Sequence, residues 1–129
     1  MSYYHSRSIK MGFEASIAAV TEALKKEGFG VLTQINLTEK LKEKLGVDFR
    51  KYVILGACNP ALAYKAVQAE DKIGVMLPCN VIVQEKAPGQ VEIAAIDPRE
   101  SMVAVGNPAL DGIAAEVSGR LRRVVDSVG

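Results

Sequence analysis

"KIGVMLPCNVIVQEKAPGQVEIAAI", residues 72–96, places two apolar, β-branched runs on either side of "APGQ", and the turn between them decides the fold. Val91, Ile93 and Ala95 recur at every second position, the period of a strand with one buried face. The run from Lys72 to Glu85 reads as the longest strand candidate in the chain. Pro88 and Gly89 are turn formers, so the two strands are expected to close as a hairpin. A tight turn can join only antiparallel neighbours, because a parallel pair needs a long crossover. The fold class that follows is α+β, with a mainly antiparallel sheet carrying its helices on one face.

Upstream, Phe13, Ile17, Val20 and Leu24 mark one face of a helix, opposite Glu14, Glu22, Lys25 and Lys26, and Gly28 is placed to end it. Tyr3 to Ile9 reads as a short first strand. "FGVLTQI" is a strand bounded by Gly30 and Asn36. Asn36 and Glu39 have capping-box spacing ahead of a short helix striped by Leu37, Leu41 and Leu45 and stopped by Gly46. "KYVILGAC" is a buried strand, and Pro60 to Ala69 a second short helix. From Leu110 through Val117, Leu121 and Val125 to Val128 the helical period persists longest, so the final helix must cover a sheet or a partner. No linker or charge block interrupts the pattern, so residues 1–129 are read as a single domain.

The chain has 129 residues, 16 basic and 15 acidic, for a formal net charge of +1, so no overall field draws it to nucleic acid or an anionic membrane. No apolar run is long enough to span a bilayer and no leader-like segment opens the sequence. The expected location is cytoplasmic, where thiols stay reduced and a permanent bridge between the two cysteines is disfavoured.

Those cysteines, Cys58 and Cys79, are the main chemical lead. Each precedes an asparagine, in "CNP" and "PCN". "NPAL" occurs at 59–62 and again at 107–110, each time before a helical pattern. Asparagine at the N-cap and proline at the first helical position explain that repeat without any catalytic role. Cys58 is left just ahead of free helix amides, where a thiolate is favoured; its other reading is a small buried apolar residue at a strand end. Cys79 shares a strand face with Ile73, Val75, Leu77, Val81 and Val83 if the strand is regular, while Pro78 marks an edge or a bulge. With His5 the two thiols are candidate ligands for a soft metal, against the absence of C-x-x-C or H-x-x-x-H spacing. Glu70 and Asp71 read as a solvated loop, Arg120, Arg122 and Arg123 as a solvated polar face, and Asp97-Pro98 as a turn or a helix start.

The stretch "ILGACNPALAYKAVQAEDKIGVMLPCNVIVQE" followed by "IDP" resembles the signature of the domain of unknown function 302 family of uncharacterised bacterial and archaeal proteins. Its G-x-C-N-P, L-P-C-N and D-P elements fall on Gly56, Cys58, Asn59, Pro60, Leu77, Pro78, Cys79, Asn80, Asp97 and Pro98, within about 36–98. The resemblance implies a curved antiparallel sheet of five strands with two long helices, similar to the TATA-box-binding-protein-like arrangement, the two short helices being insertions. It also implies self-association as dimers, and it brings no activity or cofactor; the shared fold alone licenses no DNA binding.

Two functional readings stand. In the first, the chain is a ligand-binding or structural homodimer module with a small-molecule or anion site around Cys58, Asn59, Pro60, Pro78, Cys79 and Asn80. In the second, Cys58 is a reactive thiolate with Cys79 as its redox partner or metal co-ligand, which requires the sulfurs within about 4 Å or the Cα atoms within about 7 Å.

Overall fold

A computed structural model describes residues 2–129. Strand β1, Tyr4–Ile9, leads into helix α1, Phe13–Lys26, and then strand β2, Gly30–Asn36. Helix α2, Leu37–Leu45, links β2 to β3, Tyr52–Cys58, and helix α3, Pro60–Ala69, follows. After a 3₁₀ turn at Ile73–Met76 come the hairpin strands β4, Cys79–Ala87, and β5, Gln90–Ile96. A short helix α4, Pro98–Ser101, and two 3₁₀ turns precede the last helix, α5, Asp111–Ser127. The five strands form one antiparallel sheet in the order β1-β5-β4-β3-β2.

Local chemistry accounts for the boundaries. Gly28 adopts φ 85°, its N–H bonds the Lys25 carbonyl, and the Phe29 N–H reaches back to Leu24. This is a Schellman stop, with Phe29 and Leu24 buried together. Asn36 caps α2 through the Glu39 amide, Asn59 caps α3 through Leu62, and Asp97 caps α4 through Arg99. The second "NPAL" opens a 3₁₀ turn, Asn107 accepting from Ala109, that runs directly into α5.

One face of the sheet is covered. Val53, Leu55 and Ala57 of β3, Val81 and Val83 of β4, and Val91, Ile93 and Ala95 of β5 pack with Val20 and Leu24 of α1 and Leu121, Val124 and Val125 of α5. Arg7 anchors the end of α5 by donating to the Asp126 and Val128 carbonyls. A smaller cluster of Ala66, Ile73 and Leu110, with Met102 and Leu77 against it, sits beside the main core.

Two expectations are corrected. Residues 72–78 are not strand: Ile73 is 1% exposed and Val75 86%, which breaks the alternation, and Ile73–Met76 form a 3₁₀ turn. Pro78 has no N–H to give the ladder, so pairing with β3 begins at Cys79. The arginines of α5 are not merely solvated. Arg120 holds Glu116 at 2.7 Å and the Glu27 carbonyl, Arg123 holds Glu27, and Arg122 reaches Asp97, tying α5 to α1 and β5. No described helix is long and apolar enough to cross a membrane.

Candidate functional site

Where the ends of β3 and β4 meet α3 and α5, the two clusters leave a cavity of about 320 Å³. β3 contributes Ala57 and Cys58, and the start of α3 contributes Asn59, Leu62, Ala63 and Ala66. Leu77, Pro78 and Cys79 form a second wall, Pro98 and Met102 a third, and Ile113, Ala114 and Val117 of α5 the back. Phe29 and Leu32 lie at the β2 side. Alanines 57, 63, 66 and 114 line the space, and their small side chains leave it open.

Four of the six expected site residues, Cys58, Asn59, Pro78 and Cys79, therefore line one cavity. Pro60 and Asn80 do not: Pro60 is exposed at the first position of α3, and Asn80 is exposed one residue past Cys79, on the opposite face of β4. Part of the lining, Met102, Ile113, Ala114 and Val117, comes from beyond the "IDP" motif. Only the helical stripe of α5, which runs through Ile113, Ala114 and Val117, hinted at them.

The thiols are not a bonded pair. Both are free, and Cys79 pairs with Ala57, so Cys58 is not its cross-strand partner although both line the cavity. Burial pushes the Cys79 thiol up to about 11, and its charge interaction with Cys58 adds to the rise. The two cysteines are free and do not stand close together as a pair, so the redox or metal-binding pair is set aside. Among the described residues no three His, Cys, Asp or Glu side chains come together as a metal site.

Chemically the cavity is almost wholly apolar. Asn59 is its one amide, and that side chain's oxygen is engaged in capping α3. Beside it, Asp97 is 4% exposed. Burial opposes its charge, but hydrogen bonds from Arg99 and Arg122 outweigh that and hold the carboxyl at about 2. His5 completes the network, bonding Asp126 at 2.8 Å and Arg122 at 3.3 Å. Glu70 is not simply solvated: it accepts from Asn107, fastening the approach to α5 onto the end of α3.

A family model described as "Domain of unknown function DUF302" matches residues 4–128. The chain is also similar to a crystal structure described as an uncharacterised conserved DUF302 protein from Bacillus stearothermophilus, with TM-score 0.92 and 35% identity over the whole of both chains. No curated protein matches.

Proposed function

Because this chain belongs to the DUF302 family, whose description names no activity, we propose a function from the cavity itself: the protein binds a small, largely apolar molecule between α3 and α5. One observation carries the reading, the cavity of about 320 Å³ walled by apolar side chains and closed at its β-end by Cys58, Asn59, Pro78 and Cys79. Ligand sites are typically such concave apolar spaces, of roughly 300 Å³ or more, with few polar groups to fix orientation. Here Asn59 and the protonated Cys79 thiol supply those groups, and no carboxylate, amine or imidazole faces the space. The lining offers no general acid or base, which favours binding over proton-transfer catalysis.

Fluorescence titration with 8-anilinonaphthalene-1-sulfonate, followed by competition with decanol, tests the proposal. Ala63 faces the cavity from α3 while Ala61 faces solvent. Ala63→Phe is expected to weaken probe binding at least about tenfold, or about 1.4 kcal/mol, and Ala61→Phe to leave it unchanged. Equal binding by both variants would place the probe elsewhere and end this reading.

A further inference from the structure

The apolar cavity adjoins a second space, of about 480 Å³, along the segment that links β5 to α5. Val103, Pro108 and Leu110 give that space apolar walls, and Arg99, Asn107 and Asp111 edge it. Pro98, Met102 and Ala114 line both spaces. Pro98 and Ala114 are buried, one a closed ring and the other a single methyl, so neither can swing. Met102 is half-buried at the end of α4, and its unbranched side chain has three rotatable bonds. It packs against the small cluster of Ala66, Ile73 and Leu110. The backbone that carries it is held on both sides: Asp97 receives Arg122 at 3.3 Å, and the Asn107 amide donates to the Ala69 carbonyl at 3.0 Å. Met102 is thus the one adjustable group at the junction of the two spaces, on a segment fixed at either end.

We propose that Met102 sets the length of the ligand, and that the ligand is an unbranched alkyl chain with a small, uncharged, hydrogen-bonding head. This rests on the apolar-ligand reading above and adds shape, direction and size to it. The shape follows from the sheet. The lining crosses the strand ends from Leu32 of β2 through Cys58 of β3 and Cys79 of β4 to Pro98 after β5, in the order in which those strands pair. Three strand spacings of about 4.8 Å make that path roughly 14 Å long, which suits an extended chain. Direction follows from the polar groups. Asn59, the one amide, stands at the β3 end, and because its oxygen caps α3 its amide hydrogens are left to donate to a head-group oxygen. A carboxylate head is disfavoured, since no cation lines the cavity to offset its desolvation. The tail then passes Cys79 and ends at Met102, beyond β5. Size agrees with this. A dry apolar cavity of roughly 150 Å³ holds a benzene ring, so about 320 Å³ has room for a chain of about a dozen carbons. Any longer chain must displace Met102 to reach the walls of the second space, Val103, Pro108 and Leu110.

Displacement of 8-anilinonaphthalene-1-sulfonate from the full chain by n-alkanols, from hexanol to tetradecanol, tests it. Wild-type affinity is expected to climb about fourfold per added methylene and to stop climbing near dodecanol. Met102→Ala lets the tail into the second space. It is expected to bind tetradecanol at least about tenfold tighter than wild type does, with hexanol unchanged. Met102→Phe lengthens the stop, and is expected to weaken dodecanol at least about tenfold while hexanol is retained. Met102→Leu, similar in volume, should keep the wild-type limit. Retained hexanol binding and an unchanged circular dichroism spectrum show that a variant folds, and a gain for the longer chain is something misfolding could not mimic. Wild-type affinity that climbs through tetradecanol, one length limit shared by wild type and Met102→Ala, or hexanol and dodecanol weakened together by Met102→Phe overturns the proposal and leaves an apolar ligand in the cavity. If no alkanol displaces the probe from the wild-type chain, the apolar-ligand reading fails and this inference with it.

Discussion

Gly56 shows how much one hydrogen atom can decide. A methyl group there would run into Thr33 Oγ1 and lie 2.8 Å from Pro78 Cγ, so the close approach of β2 and of the Pro78 turn to β3 depends on the bare backbone. Gly56→Ala should destabilise the fold by about 1–3 kcal/mol, as overpacking does. The urea midpoint would fall with the slope unchanged. Thr33→Ala, which removes one of the two clashing groups, should recover part of that loss; no recovery would mean that Pro78 is the unyielding neighbour. Cys79 makes a separate residue-scale case. With its thiol pushed to about 11, almost none is thiolate at pH 8, and iodoacetamide should leave it unmodified in the native protein while labelling it in urea. Peptide mass mapping reads this directly, and rapid native labelling of Cys79 would contradict its raised thiol. Both residues stand in the G-x-C-N-P and L-P-C-N elements, but sequence spacing alone cannot say that one stands against a neighbour's hydroxyl and the other lines a cavity.

Among elements, the capped turn after β5 carries the clearest pH dependence. Asp97 caps α4 through the Arg99 amide at 3.1 Å and receives Arg122 from α5 at 3.3 Å, joining three elements at one carboxylate. Its folded value of about 2 lies below the ordinary 3.8, so its charge stabilises the fold above pH 4 and that contribution is lost as pH falls from 3.8 toward 2. Asp97→Asn is therefore expected to be less stable than wild type by on the order of 2 kcal/mol at pH 7 and to converge with it near pH 2. Thermal melts of both proteins across that range would show it, and a constant difference at every pH would assign the effect to packing instead. Capping of this kind was legible in "IDP" and in both "NPAL" copies, because an N-cap is a local, side-chain-to-backbone interaction. The segment before Cys79 was not. Ile73, Val75 and Leu77 satisfy a two-residue alternation, and only the docking of Ile73 against Ala66 and Leu110 overrides it. Pro78 was the one local warning.

At the scale of the whole molecule, the hairpin of β4 and β5 settled the architecture, since its turn forced antiparallel pairing and the α1 and α5 stripes then had one face to cover. The cavity had no such signature. Its walls are drawn from residue 29 to residue 117, and space left between elements is a property of how they meet, not of any one of them. That origin yields a final expectation. A site kept open by alanines forgoes apolar contact, so the fold should be more stable when the space is occupied. Ala63→Leu adds methylene groups at a half-buried position facing the cavity, and is expected to raise stability by about 1 kcal/mol, at roughly 0.8 kcal/mol per fully buried group. The melting temperature should rise by a few degrees while binding of 8-anilinonaphthalene-1-sulfonate declines. The same substitution at Ala61, on the solvent side of α3, should change neither. If Ala63→Leu instead lowers the melting temperature, the walls are already in contact around that position, and the space between α3 and α5 is too small to hold a ligand of the proposed class.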